Sequence, residues 1–522
     1  MKHLKKFNTV VERDAYLAAT PLPPYPYVHY IADTKTVMYS DAEVDLPFYF
    51  ESIGSLSVKF SNKYQYSRDG VSWADGTSST TITFNTGERV YFRATGLTAS
   101  TSSGIGKFTI STGSANIGGN LMSMLYGEDY RKQTAITQSY AFYKIFDSCS
   151  LIKSAKYLAL PATTLSSYCY GYMFNKCTGL VDAPSLPATT LAMNCYYGMF
   201  TDCTSLVNAP SLPATTLVKS CYSYMFNGCT SLVDAPELPA TTLATSCYNG
   251  MFRDCASLVN APSLPATTLV KSCYYDMFRN CTSLVDAPML PATTMVETGY
   301  FCMFYGCTSL VNAPSLPAMT LARQCYGAMF RDCASLVNVP QLPATTLIAS
   351  CYASMFYGCT SLVDAPELPA TTMVERCYES MFNGCTSLVD APMLPAMKAE
   401  SYCYANMFQG CTSLVNAPEL PATQLSNYCY YYMFDGCTSL VKAPVLPARS
   451  ISTSSYVSMF RNCSSLNYIK AMFTTTPGSS YTSSWVFGVA PTGTFVKNSA
   501  ATWNVTGSSG IPEGWTVETA AA

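Results

Sequence analysis

Charge is what this chain has least of. Asp, Glu, Lys and Arg make up 12 % of the 522 residues and nearly cancel, leaving a formal net charge of −2. So weak a balance gives no electrostatic pull toward nucleic acid or an anionic membrane. Long apolar runs are missing too. None approaches the roughly 18 residues of a membrane-spanning helix, so no membrane insertion is expected. The opening MKHLKKFNTVVERDAYLAAT is basic but has no apolar stretch of the kind a secretory signal carries. Cysteine is absent before Cys149, which excludes a lipoprotein cysteine near the N-terminus. Together these absences predict synthesis in a reducing cytoplasm without a signal peptide.

Histidine is almost absent as well: His3 and His29 are the only two. No G-x-S-x-G, no phosphate-binding glycine loop and no isolated acid pair stands out from the periodic background. Catalysis needs a unique constellation of side chains, whereas repetition supplies columns. The expectation is a non-enzyme without cofactor or metal.

What the chain does have is one phrase, written again and again. Met-Phe pairs begin at Met173, Met199, Met225 and so on to Met459, every step being 26 residues. A degenerate copy, Ile145-Phe146 with Cys149 behind it, precedes them by 28. A fixed period of this size means a solenoid or related array. In one coil, TSLVDAPELPA (230–240) reads as a short strand broken by Pro236 and Pro239, because proline cannot donate to a ladder. ATTLATSC suits a bend or second strand. CYNGMFRDC (247–255) spaces Cys247, Met251 and Cys255 at i, i+4 and i+8, which predicts a turn or two of helix. No coil can bury its own apolar face, so neighbouring coils must bury it together.

All 24 cysteines lie in this region. Thirteen follow Met-Phe or its equivalent, ten precede Tyr, and Cys302 is displaced in a coil with Gly299 at the usual place. Regular placement on an apolar face predicts reduced, buried columns, since free cysteine packs as a small apolar residue. Zinc would want ligands two to four residues apart rather than these spacings. Two further columns are candidates for ligand contact. One is polar: Asp182, Asn208, Asp234, Asn260 and Asp286. It is either a solvated strip thinned of charge to permit stacking or a strip for a cation or glycan. The other is the tyrosine after cysteine: Tyr222, Tyr248 and Tyr274. It sits either at the core edge or on the surface as a ladder for sugar or peptide.

The phrase CTSLxxxPxLPxxxLxxxCYxxMFxxC resembles the BspA-like leucine-rich repeats found in surface and phage proteins linked to Bacteroidetes, over roughly residues 140–465. The resemblance implies an α/β, leucine-rich-repeat-like solenoid whose 26-residue coils combine short strands with a short helix. Ahead of it, FYFESIG, LSVKFSN and GKFTIST alternate as strands do and predict a small all-β sandwich-like domain. The expected division is an extended docking arm (1–45), the β-sandwich or N-terminal cap (46–125), the repeat solenoid (126–463) and a C-terminal cap (464–522). KKFNTVVERDAYLAA, within the arm, reads as a short helix.

The arm also carries TPLPPYPYVHYIADTKTVMYS, with Tyr25, Tyr27, Tyr30 and Tyr39, and resembles the N-termini of proteins from Bacteroides phages, including crAss-like phages. This implies a virion structural protein, a fibre or decoration. Its arm would dock on other virion proteins, and its array would meet a host-surface protein or glycan at the virion surface. A homo-oligomer is expected. The alternatives are a bacterial cell-surface adhesin of the BspA type and an intracellular scaffold.

Overall fold

The computed structural model describes residues 43–520 and, by backbone alone, three strands before them. These are β1 (Lys5–Phe7), β2 (Val28–Ile31) and β3 (Thr36–Tyr39), with β2 parallel to β1 and antiparallel to β3. Lys5–Phe7 is therefore strand where a helix was expected. The rest of that expected helix lies outside the described residues. By its internal contacts the chain divides into two compact units, Met1–Ala214 and Thr215–Ala522.

In the first unit, alternation of buried and open residues makes eight further strands. They are β4 (Tyr49–Ser52), β5 (Leu56–Phe60), β6 (Tyr64–Ser67), β7 (Ala74–Gly76), β8 (Ile82–Phe84), β9 (Arg89–Arg93), β10 (Phe108–Thr112) and β11 (Ala115–Asn120). They form a sheet ordered β10-β5-β8 and a larger one that contains β11-β4-β9-β6-β7. Phe48, Phe50, Phe60, Phe92 and Phe108 meet between them with ring centroids 4.6–6.1 Å apart. A single turn of α-helix, α1 (Ser123–Tyr126), and a 3-10 turn over Gly127–Lys132 follow.

The repeats grow from this sheet. Strand β12 (Ile152–Ala159) adds parallel to β11. The ladder then continues as single bridges, Ser154 to Asp182 and Asp182 to Asn208. In the second unit the same series runs Asp364, Asp390, Asn416, Lys442, Tyr468. It widens again into a parallel sheet of β15 (Tyr468–Ala471), β16 (Thr494–Asn498) and β17 (Thr516–Ala520). One other pair, β13 (Lys398–Ala399) with β14 (Gln424–Leu425), is parallel too. The expected strand in each coil thus shrinks to about one residue. The prolines two and five positions after the bridge have no N–H to extend it.

The expected helix is not there. Among the described residues, no coil contains one. Residues 246–255 instead form overlapping tight turns, in which odd-numbered N–H groups bond within the coil, as Met251 to the Tyr248 carbonyl and Cys255 to the Phe252 carbonyl. Even-numbered ones cross to the next coil, as Tyr248 to Cys273 and Phe252 to Met277. An α-helix would spend every donor on itself. This ribbon leaves half of them to join coils. Its residues turn two inward and two outward, so Cys247, Tyr248, Met251, Phe252 and Cys255 are all buried. Equivalent rings stack between coils: Phe252 on Phe278 at 5.7 Å and 6°, Tyr248 on Tyr274 at 5.8 Å and 8°. The chain is a repeat solenoid, almost free of helix.

Candidate functional site

The turn ribbon needs a left-handed residue every fourth position. Ser246, Gly250 and Asp254 have φ of 55°, 58° and 59°. The third of these columns is filled by the residues that tolerate φ > 0: Asp254, Asn280, Gly306, Asp332 and Gly358 in the second unit. Sequence reasoning missed this column, although MFRDC, MFRNC and MFYGC display it just before the second cysteine.

The cysteines occupy the core. All 24 are buried thiols. Most of those in the second column donate the thiol to a phenylalanine carbonyl one coil earlier, as Cys255 to Phe226 and Cys281 to Phe252, both at 3.1 Å. Burial pushes the thiols up, Cys273 and Cys307 to about 12 and Cys351 to about 11, so these three are not poised as thiolates. Tyr222, Tyr248 and Tyr274 are likewise core residues, at most 2 % exposed. They present no face to a ligand, so of the two alternatives the surface ladder is ruled out and these candidate contact residues belong to the core. The cause is the two-in, two-out ribbon: the residue beside an inward cysteine also turns inward. Burial raises the phenols of Tyr248 and Tyr274 well above the ordinary range.

The polar column is at the surface. Asp182 is partly exposed, and Asn208, Asp234, Asn260 and Asp286 are exposed. Neighbours are clipped together along the stack. The Asn260 amide donates to Asp234 at 2.7 Å, and the Ser154 hydroxyl donates to Asp182 at 3.1 Å. Further along, Asn416 donates to Asp390 at 2.8 Å. Alternating Asn with Asp thus turns like-charge repulsion into hydrogen bonds. Among the described residues no three His, Cys, Asp or Glu side chains gather as a metal site.

Of the arm residues, Tyr25 and Tyr27 lie outside the described residues. Tyr30 falls in β2 opposite Val37, and Tyr39 in β3 opposite Val28. The segment expected to be an extended arm has paired strands over part of its length.

Three outward features were not anticipated. Between adjacent proline ridges runs a shallow apolar groove, lined for instance by Met289, Pro291, Pro314 and Pro317. Arginines and tyrosines interleave on the ribbon's outer side. Arg279 lies 4.3 Å from the Tyr305 ring centre and Arg331 4.0 Å from that of Tyr357. Asp276, 4 % exposed at its side chain, sits between Arg253 and Arg279 at 3.6 and 3.7 Å. In the first unit, five tyrosines between 140 and 197 form a contiguous surface cluster. None of the described helices is long and apolar enough to cross a membrane.

Among solved structures, the "Crystal structure of TLR13-ssRNA13 complex" is similar at 16 % identity and a TM-score of 0.23. That similarity covers 71 % of this chain and 46 % of the other, and at that score it carries no argument about this one. No curated protein matches the chain. The family model for the BspA type leucine rich repeat region matches residues 163–311, 303–432 and 401–485. These spans cover more than half of the sequence, and their limits enclose most of the Cys, Met-Phe and Tyr columns just described. The chain therefore belongs to the BspA-type leucine-rich repeat family.

Proposed function

We propose that this protein is a non-enzymatic adhesion or binding protein that presents its repeat array to a cell surface. One observation carries the reading. Every coil commits its Cys, Tyr, Met, Phe and Leu to the core and leaves fixed outward columns, such as Asp234, Asn260 and Asp286, that recur at each step. Such columns suit multivalent contact with a repetitive surface, where many weak contacts add through effective concentration. Fluorescently labelled full-length protein should bind saturably to intact bacterial or epithelial cells. Binding to neither, at micromolar protein, would end this reading.

The finer assignment within it is a phage virion appendage, with the N-terminal segment docking on other virion proteins. It is supported by the resemblance of that segment to phage protein N-termini. A bacterial cell-surface adhesin is the other carrier for the same array. Mass spectrometry of purified particles and of proteins shaved from intact cells separates them. Absence of the chain from particles removes the virion assignment and leaves adhesion standing.

A further inference from the structure

We propose that the tyrosine cluster of the first unit, Tyr140, Tyr143, Tyr168, Tyr172 and Tyr197, is a binding platform for a neutral oligosaccharide. The proposal rests on the adhesion reading for its context and names a ligand class for it.

The rings form one connected pavement. Tyr140 and Tyr168 stack at 4.7 Å and 5°, Tyr143 meets Tyr172 edge-on at 6.1 Å, and Tyr172 meets Tyr197 at 5.3 Å. All five are partly exposed. Packing does not require them. Tyr140, Tyr168 and Tyr172 have φ of 62°, 56° and 52°, a region in which a bulky side chain costs free energy. Elsewhere the same positions hold Ser246, Ser272, Gly250 or Ser354, so coils close without a ring.

Small residues seat the rings. A side-chain carbon at Gly198 would come within 2.6 Å of the Tyr172 ring, and one at Gly171 within 3.0 Å of Tyr143. Burial raises the pKa of the Tyr168 hydroxyl, and Asn194, only 7 % exposed and lying beside it, lowers it slightly. A strained, repeated and supported aromatic surface points to a ligand rather than to stability.

The chemistry of the surface selects the ligand. Tyr140 and Tyr168 each cover one face of the other, so the partly exposed phenols meet a pyranose with their remaining ring surface and with their hydroxyls. The nearby charges are engaged by groups of the protein itself. Lys144 lies over the rings of Tyr143 and Tyr172 at 5.1 and 5.7 Å, and Asp147 is held by Lys107 and Asn175 at 2.7 and 2.6 Å. Rings one coil apart set ring edges and hydroxyls side by side, which suits the hydroxyls of successive sugars in an extended chain. The second unit repeats the device: Tyr402 and Tyr428, with φ of 56° and 61°, stack at 4.7 Å and 4°, beside Tyr431 and Tyr432.

The test titrates full-length protein, by calorimetry and ligand-observed NMR, with hexamers of β-linked glucose, mannose and N-acetylglucosamine. A hyaluronan fragment and a proline-rich decapeptide serve as comparators. At least one neutral hexamer should bind, and the double variant Tyr140→Asn/Tyr168→Asn should weaken it at least tenfold. Asparagine tolerates positive φ, so the variant's melting temperature should stay level or rise. Tyr168→Phe, which keeps the ring, should lose less affinity than Tyr168→Asn. The proposal is overturned if no neutral hexamer binds, if only a comparator does, if the double variant binds as well as the parent, or if it melts much lower. Cell binding that persists while every hexamer fails leaves the adhesion reading intact. Hexamer binding without cell binding does the reverse.

Discussion

The thiol of Cys255 donates to the carbonyl oxygen of Phe226, 3.1 Å away and 29 residues earlier, in the neighbouring coil. The same carbonyl accepts the N–H of Cys229 within its own coil. Cysteine at this position is therefore both a small apolar filler and a weak donor that joins coils. Cys247, in the other column, donates its thiol to no carbonyl among the described residues. Serine should thus be read differently at the two sites. Cys255→Ser should cost less than about 1 kcal/mol, because its hydroxyl inherits the Phe226 carbonyl. Cys247→Ser should cost about 1–3 kcal/mol for a buried hydroxyl without an acceptor. Urea denaturation of the two variants measures the difference. Equal costs would show that the thiol–carbonyl contact contributes nothing.

Stability should fall steeply on the alkaline side. An unfolded thiol loses its proton near pH 8.5, whereas burial holds Cys273, Cys307 and Cys377 protonated to about 12. Above pH 8.5 the unfolded chain therefore binds fewer protons than the folded one, and stability declines as pH rises. Each such thiol contributes up to about 1.4 kcal/mol per pH unit, and the columns sum it. Melting temperature should be flat from pH 6 to 8 and drop sharply between 8.5 and 11. A flat profile through pH 10 would mean that the thiols are not buried in this way.

Position 384 isolates the backbone requirement of the ribbon. Gly384 has φ of 73°, and a side-chain carbon there would meet nothing closer than 3.7 Å. Space is not limiting, so only conformation resists substitution. Gly384→Val should cost about 1–3 kcal/mol, and Gly384→Asn clearly less. Equal melting temperatures for the two variants would show that the left-handed residue is dispensable.

That column also explains what the sequence does and does not reveal. The period, the apolar columns and the burial of Met251, Phe252 and Cys255 follow directly from residue spacing. A helix was expected because inward residues recur every fourth position, but a ribbon of tight turns has that same period. Hydrophobic spacing alone does not separate the two. The Gly, Asp or Asn before the second cysteine of every coil from Cys203 onward does, since a helix has no use for φ > 0 at a fixed place in every repeat. Tyr248 stays open between core edge and surface in the sequence for the same reason: on a helix it would sit beside the buried face, whereas on the ribbon it is part of it. The pavement of Tyr140 and Tyr168 was hidden by its irregularity, because it breaks the very columns that made the repeat visible.

The N-terminal segment is where a boundary matters most. The expected arm ended at residue 45, yet residues 43–46 are bonded into the first unit. Glu43 accepts from the Tyr49 hydroxyl at 2.9 Å, and Val44 receives the Asn120 amide at 3.1 Å. The Leu46 carbonyl receives the backbone N–H of Asn120, a residue 1 % exposed. Deleting residues 1–42 should leave melting unchanged. Deleting 1–46 strips a buried N–H of its acceptor and should cost about 1–3 kcal/mol or more. If the segment provides assembly, the 1–42 deletion should remain folded while failing to join its particle or oligomer, as sedimentation would show. A deletion that still assembles removes docking from the segment. One that aggregates shows instead that it covers part of the fold.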